Sequence, residues 1–182
     1  ATLSKDSNGF TVVPGQTGHI VNVAASVSTI INRLENEWNK EPTTVALVVD
    51  IDEPKGKTEE LERVKDVLGT YTTSFSSSGK ARSENVRNGT RLIDGRVLYP
   101  GEEFSAYDAV NPFTEENGYY MAGSYLNGLV VESLGGGICQ VSSTLYNAVL
   151  RAELEVTERF NHSMIVSYVK LSSDAAISGT SK

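Results

Sequence analysis

Cys139 is the only cysteine in the chain, and it lies in "GGGICQVSSTLYNAVLRAEL", residues 135–154. Ile138, Val141, Leu145, Ala148, Val149 and Ala152 recur at helical spacing, so a helix is expected to start at the cysteine. Cys139, Ser142, Ser143 and Tyr146 fall beside that stripe. In the first turn of a helix, unpaired N–H groups and the helix dipole stabilise a thiolate. The glycines before it let backbone N–H groups approach a substrate carbonyl, as an oxyanion hole requires. A nucleophile is one reading; a packed thiol and a metal ligand are the others, since free cysteine is among the most buried residue types.

The chain has two histidines, His19 and His162. His162 opens "HSMIVSYV" after the span of a helix and a short return, so it can pass beside the helix start and take the thiol proton. His19, in "TGHIVNV", has no such neighbour in the sequence. Zinc would need third and fourth ligands, which the spacing does not supply. A phosphate loop is excluded because no Gly-Lys-Ser/Thr follows the glycines. No carboxylate pair is placed for acid/base work, and no cofactor motif is present.

Around these residues, 182 positions allow one substantial domain plus a small one. The net charge of −7 argues against nucleic acid and against an anionic membrane surface as partners. A single cysteine excludes an internal disulfide. No apolar run approaches the ~20 residues of a membrane span. The sequence opens at Ala1 rather than methionine and reads as a piece of something longer, so missing targeting signals do not bound its location.

An α+β fold is expected: a small α+β module, 1–56, and a mainly β domain, 57–182, with the helix starting at Cys139. In the module, Phe10 to Pro14 reads as a strand, Val27, Ile30, Ile31, Leu34 and Trp38 as one buried helical face, and "TTVALVVDI" as a second strand. "DEPKGK" is the linker. Beyond it, Thr58 is placed as an N-cap, with Leu61, Val64 and Leu68 as its helix's buried stripe and Gly69 as the terminator. Tyr71, Thr73 and Phe75 alternate like a strand, and Ser83 to Ile93 is expected to be helical, ended by Gly95. "RVLYPGEEFS" reads as two short strands about Pro100-Gly101, and Asn127-Gly128 between apolar runs as a hairpin turn. In "HSMIVSYV", His162, Met164, Val166 and Tyr168 share one face, and the tail from Ser172 is expected to fray.

"YPGEEFS", "GGGICQVSSTLYNA" and "NHSMIVSYV" with "DAAI" together resemble the VanW domain family, over roughly Tyr71 to Ile177. Residues 4 to 54 resemble the peptidoglycan-binding module that often precedes such domains. The resemblance implies an exported, wall-facing protein held by an N-terminal membrane anchor. It implies an L,D-transpeptidase in which Cys139 attacks the third-residue carbonyl of a tetrapeptide donor stem and His162 is the base. The acyl group then passes to an amine on a neighbouring stem. Gly136, Gly137, Ile138, Ser142, Ser163 and Asp174 are the candidates for oxyanion or orienting roles. Two departures stand out: Phe160 occupies a place where relatives carry a basic residue or histidine, and relatives continue past "DAAI" with a further strand. A non-catalytic wall-binding module and a cysteine peptidase or amidase are the alternatives.

Overall fold

A computed structural model of the chain describes residues 2–6, 9–54, 56, 58–126 and 128–177. Lys55 and Lys57 of the expected linker, Asn127 of the expected turn and the tail at 178–182 lie outside the described residues. The chain forms two compact units, Ala1–Lys65 and Asp66–Lys182. It combines helices with small antiparallel sheets, an α+β fold.

In the first unit, β1 (Thr2–Asp6) pairs with β2 (Gly9–Val13), and β3 (Gly18–Val21) with β4 (Val49–Asp52). Helix α1 (Val23–Asn32) is capped by Asn22, whose side chain accepts from the Ala25 N–H at 2.9 Å, and it runs on into a π-helical turn, Arg33–Glu37. The strand expected from Thr43 starts only at Val49. Val48 is committed elsewhere: its carbonyl accepts from the Asn22 N–H and its N–H donates to Ser26 Oγ, both at 2.9 Å. Those bonds attach α1 through its buried Ser26, so the face expected in the core points outward. Val27, Ile31, Leu34 and Trp38 are 46–49% exposed.

Helix α2 (Thr58–Leu61), grouped by its sequence with the second domain, packs on β2 through Leu61, which is buried. It is one turn long. The Arg63 and Val64 N–H groups reach back only three residues, to Glu60 and Leu61, and tighten the chain out of the α-helix. The expected stripe therefore ends at Leu61, and Val64 and Leu68 are exposed.

The second unit is less β-rich than expected. Among the described residues its only sheet is the hairpin of β5 (Met121–Leu126) and β6 (Leu129–Leu134), with Leu126 paired to Leu129 and Gly128 at φ +77°. Two 14-residue helices, α3 (Lys80–Ile93) and α5 (Ile138–Arg151), carry the rest, with the short α4 (Ala106–Val110) between them. "RVLYPGEEFS" is a turn without strands, closed by the Glu102 N–H on the Tyr99 carbonyl with Gly101 at φ +84°. Residues 162–169 form no ladder either, because the His162 N–H is taken by a carboxylate.

Gly69 is not a helix terminator. A Cβ there would lie 2.3 Å from the Ala148 carbonyl oxygen, so its role is to let the chain run against the end of α5. The residues after it bind that helix by side chains instead of pairing as a strand. The Arg151 guanidinium lies 4.5 Å over the Tyr71 ring, and Gln140 Nε2 donates to Thr73 Oγ1 and to the Ser74 carbonyl.

The core of this unit is Val86, Val110, Tyr119, Ile138 and Val141, with Phe75, Phe113, Leu134 and Ile177 packed around it. Burial pushes the Tyr119 phenol up to about 12, against an opposing pull from Arg91, and its hydroxyl donates to the Val110 carbonyl at 2.7 Å. Asn85, fully buried on α3, ties the hairpin to the helix start. Its amide donates to the Tyr120 and Gly136 carbonyls, each at 2.9 Å, and accepts from the Tyr120 N–H at 2.8 Å. Asn85→Ala leaves the Gly136 carbonyl and the Tyr120 N–H without their partner, while the Tyr120 carbonyl keeps the Gly135 N–H, and is expected to cost about 3 kcal/mol, read as a lower urea midpoint at unchanged slope.

Candidate active site

The three glycines before Cys139 each meet a steric demand. Gly135 takes φ +80° under the Phe113 ring, and Gly137, the residue capping α5, takes φ +105° against the Arg82 side chain. Gly136 is the tightest: a Cβ there would sit 2.3 Å from the Ala122 carbonyl oxygen. The run is thus a turn from β6 into α5, pressed onto the backbone of β5. Closing it engages two of the candidate oxyanion donors, since the Gly136 N–H donates to the Ser133 carbonyl at 3.3 Å and the Ile138 N–H to the Gly135 carbonyl at 3.0 Å. The Cys139 N–H, in the first helical turn, has no intrahelical acceptor.

Cys139 is partly buried on the α5 face that meets residues 173–177. Its sulfur receives the Ile177 N–H at 3.4 Å and lies 3.3 Å from the Ile177 carbonyl oxygen. The facing segment is latched to the helix by two serines. Ser143 Oγ accepts from the Ala175 N–H at 2.9 Å, and Ser142 Oγ donates to the Ala175 carbonyl at 2.6 Å. Both serines are buried, and the latch is where the structure places Ser142.

That segment carries Asp174, and Asp174 holds His162. Its Oδ2 lies 2.7 Å from His162 Nδ1 and accepts the His162 backbone N–H at 2.6 Å; its Oδ1 accepts from Arg159 at 3.2 Å. The ring is fixed at both its backbone and its Nδ1 edge, which leaves Nε2 for chemistry. Tyr168 brings its hydroxyl to 3.5 Å from Nε2 and meets the ring edge-on, as Tyr125 does. Ser163 is exposed and makes no hydrogen bond to Cys139, His162 or Asp174 among the described residues. His19 lies in β3 of the other unit.

Burial by itself would lower the pKa of His162, but hydrogen bonds with Cys139 and Asp174, and their charges, outweigh it and hold the value above 6.5. For Asp174 the balance runs the other way. Burial raises it, but the His162 backbone and ring hydrogen bonds prevail and keep the carboxyl below 3.8. Both shifts favour an imidazolium–carboxylate pair. The stabilisation from His162 is full below about pH 6.5 and is lost as pH rises through its raised folded value. That from Asp174 is present above about pH 3.9 and is lost as pH falls through its lowered one.

Cysteine, histidine and aspartate thus stand in an order that can supply a nucleophile, a base and an orienting group. Sequence reasoning placed Cys139 and His162 together and included Asp174 without a defined role. It missed Tyr168, Arg159 and Asn85 as parts of the site, although the alternation in "HSMIVSYV" set Tyr168 on the His162 face. Among the described residues no group of three His, Cys, Asp or Glu is placed to hold a metal ion, and no helix is long and apolar enough to cross a membrane.

The fold and site define a small α+β domain built on a cysteine at a glycine-led helix start. Residues 81–182 match the family described as VanW like protein, and the chain belongs to the VanW family. It is 45% identical over 111 residues to the uncharacterized protein YoaR of Bacillus subtilis strain 168, which covers 61% of this chain and 37% of that one. It is 28% identical over 78 residues to the vancomycin B-type resistance protein VanW of Enterococcus faecalis strain ATCC 700802 / V583, covering 43% of this chain and 28% of that one. The chain therefore spans well under half the length of these two relatives. No solved structure matches it.

Proposed function

We propose that the chain is a peptidoglycan L,D-transpeptidase acting through a cysteine acyl-enzyme, outside the membrane and facing the wall. The observation that carries this reading is the His162 ring, fixed at Nδ1 by Asp174, which lies on the same segment that meets the Cys139 sulfur through Ile177. A relative named for vancomycin resistance supports a cell-wall setting.

In this mechanism His162 takes the thiol proton and Asp174 balances the imidazolium. Sγ attacks the carbonyl carbon of the third stem residue of a tetrapeptide donor, and the carbonyl π electrons move to oxygen. On collapse the C=O re-forms, the C–N bond breaks, and imidazolium gives its proton to the departing D-alanine amine. A side-chain amine of a neighbouring stem then attacks the thioester, loses its proton to His162 and releases the thiol. No cofactor enters either half of the cycle.

The test is incubation of the protein with a tetrapeptide muropeptide and an amine acceptor, with products resolved by mass. Release of D-alanine together with a cross-linked dimer is expected. D-Alanine with tripeptide alone would assign the site to a peptidase instead, because water had taken the thioester. Absence of both products would leave a wall-binding module.

A further inference from the structure

An acyl-transfer site places preorganised hydrogen-bond donors on the developing oxyanion. Of the glycine-led N–H groups that the sequence suggests, Gly136 and Ile138 are engaged in closing their own turn. The Cys139 N–H is one donor in the first turn of α5. A side chain placed against the base can supply a further one.

We infer that Tyr168 is that donor: a catalytic residue whose phenolic O–H hydrogen-bonds the substrate oxygen as it becomes an oxyanion. The assignment of substrate to this hole rests on the acyl-transfer reading above; the hole itself does not. Tyr168 Oη lies 3.5 Å from His162 Nε2, the nitrogen on the ring edge away from Asp174 and the one left to exchange a proton with the thiol. At 3.5 Å the contact with the ring is long, and with Ser143 as its other polar neighbour the hydroxyl can turn its O–H to a closer acceptor. The edge-on packing of the two rings, with centroids 6.4 Å apart, fixes the hydroxyl without using it.

The electrostatics agree with a neutral donor. Burial raises the Tyr168 pKa, the neighbouring charges of Cys139 and Asp174 raise it further, and contacts with Ser143 and Arg82 offset only part of this. The phenol therefore keeps its proton across the working range of a cysteine enzyme. In the step itself, Sγ bonds to carbon, the π electrons reach oxygen, and the Tyr168 O–H shortens onto that oxygen without transferring its proton. When the C–N bond breaks and C=O re-forms, the hydrogen bond relaxes. The proton for the leaving amine comes from imidazolium alone.

Two reactions of the same sulfur separate this role from a positional one. Acylation by p-nitrophenyl acetate passes through a tetrahedral oxyanion; alkylation by iodoacetamide does not, although both need the Cys139–His162 pair intact. Tyr168→Phe is expected to slow acylation about 10²–10³-fold while leaving the alkylation rate unchanged. If both reactions fall together, Tyr168 merely positions His162; if neither changes, the hydroxyl has no role. Either result overturns the inference. Because nitrophenyl acetate resembles no stem peptide, this result is independent of whether tetrapeptide is the natural donor. A wild-type protein that reacts with the ester but not with muropeptide would sink the transpeptidase reading and leave Tyr168 in place.

Discussion

Cys139→Ser is expected to abolish acyl transfer, with a loss of about 10³-fold or more, in a protein that still folds. The fold should persist because a serine hydroxyl can make both contacts of the thiol, accepting from the Ile177 N–H and donating to the Ile177 carbonyl. Neither contact is part of the core cluster, so a change in stability within about 1 kcal/mol is expected. Chemistry is another matter. A thiol near imidazole can exist as the thiolate before substrate arrives, whereas a hydroxyl must lose its proton during the attack. The shorter C–O bond also draws the nucleophile back from the place where sulfur would react. The measurement is donor turnover beside a urea melt. Wild-type turnover in the serine variant would mean that the nucleophile lies elsewhere.

Asp174→Asn should produce the second large effect, about 10³–10⁴-fold in acylation rate, by changing the tautomer of His162. The carboxylate accepts a proton on Nδ1, which leaves Nε2 open to the thiol. An amide placed there can present its NH₂ to Nδ1 and send the ring proton to Nε2, so the base meets Cys139 already protonated. The pH behaviour follows from the same contact. Removing the charge and hydrogen bond that raise His162 should move its titration, followed by NMR of the ring protons, to lower pH. Stability should change as well. The part contributed by the low Asp174 carboxyl, present above about pH 3.9 in the parent, is absent in the amide variant. Its acid unfolding curve should therefore be flatter. An unshifted His162 titration would contradict the proposed orienting role.

How much of this was legible before the structure depends on which interactions made each element. Helix α5 was legible because Ile138, Val141 and Leu145 declare its period, and the glycines mark its start. α3 was legible too, although it begins at Lys80, three residues before the expected Ser83. The hairpin register was set by two apolar runs with a two-residue turn. What failed were strands inferred from short alternations. Tyr71 and Thr73 alternate because their side chains meet Arg151 and Thr144 on a helix, not a neighbouring strand. The stretch from His162 alternates, but its first N–H bonds a carboxylate, so no ladder begins.

In the first unit the apolar face of α1 was clear in the sequence and the burial inferred from it was not. A polar contact, Ser26 with Val48, decides which side of that helix faces its own unit. At the site, Cys139 and His162 could be paired by chain length alone. Asp174 could not be given a function, because its role depends on residues 173–177 being latched to α5 by Ser142, Ser143 and Asn147. Such long-range polar contacts leave no periodic trace. The same holds for Asn85, whose three backbone bonds join parts of the chain far apart in sequence.

The central claim is that Cys139 carries an acyl group taken from a stem peptide. Intact-protein mass spectrometry after brief incubation with a tetrapeptide muropeptide, quenched in acid to keep the thioester, tests it most directly. A mass increase equal to the donor less D-alanine is expected, located at residue 139 by peptide mapping and absent from Cys139→Ser. An unmodified protein under conditions where the muropeptide is consumed, or an adduct mapped to any other residue, would contradict it.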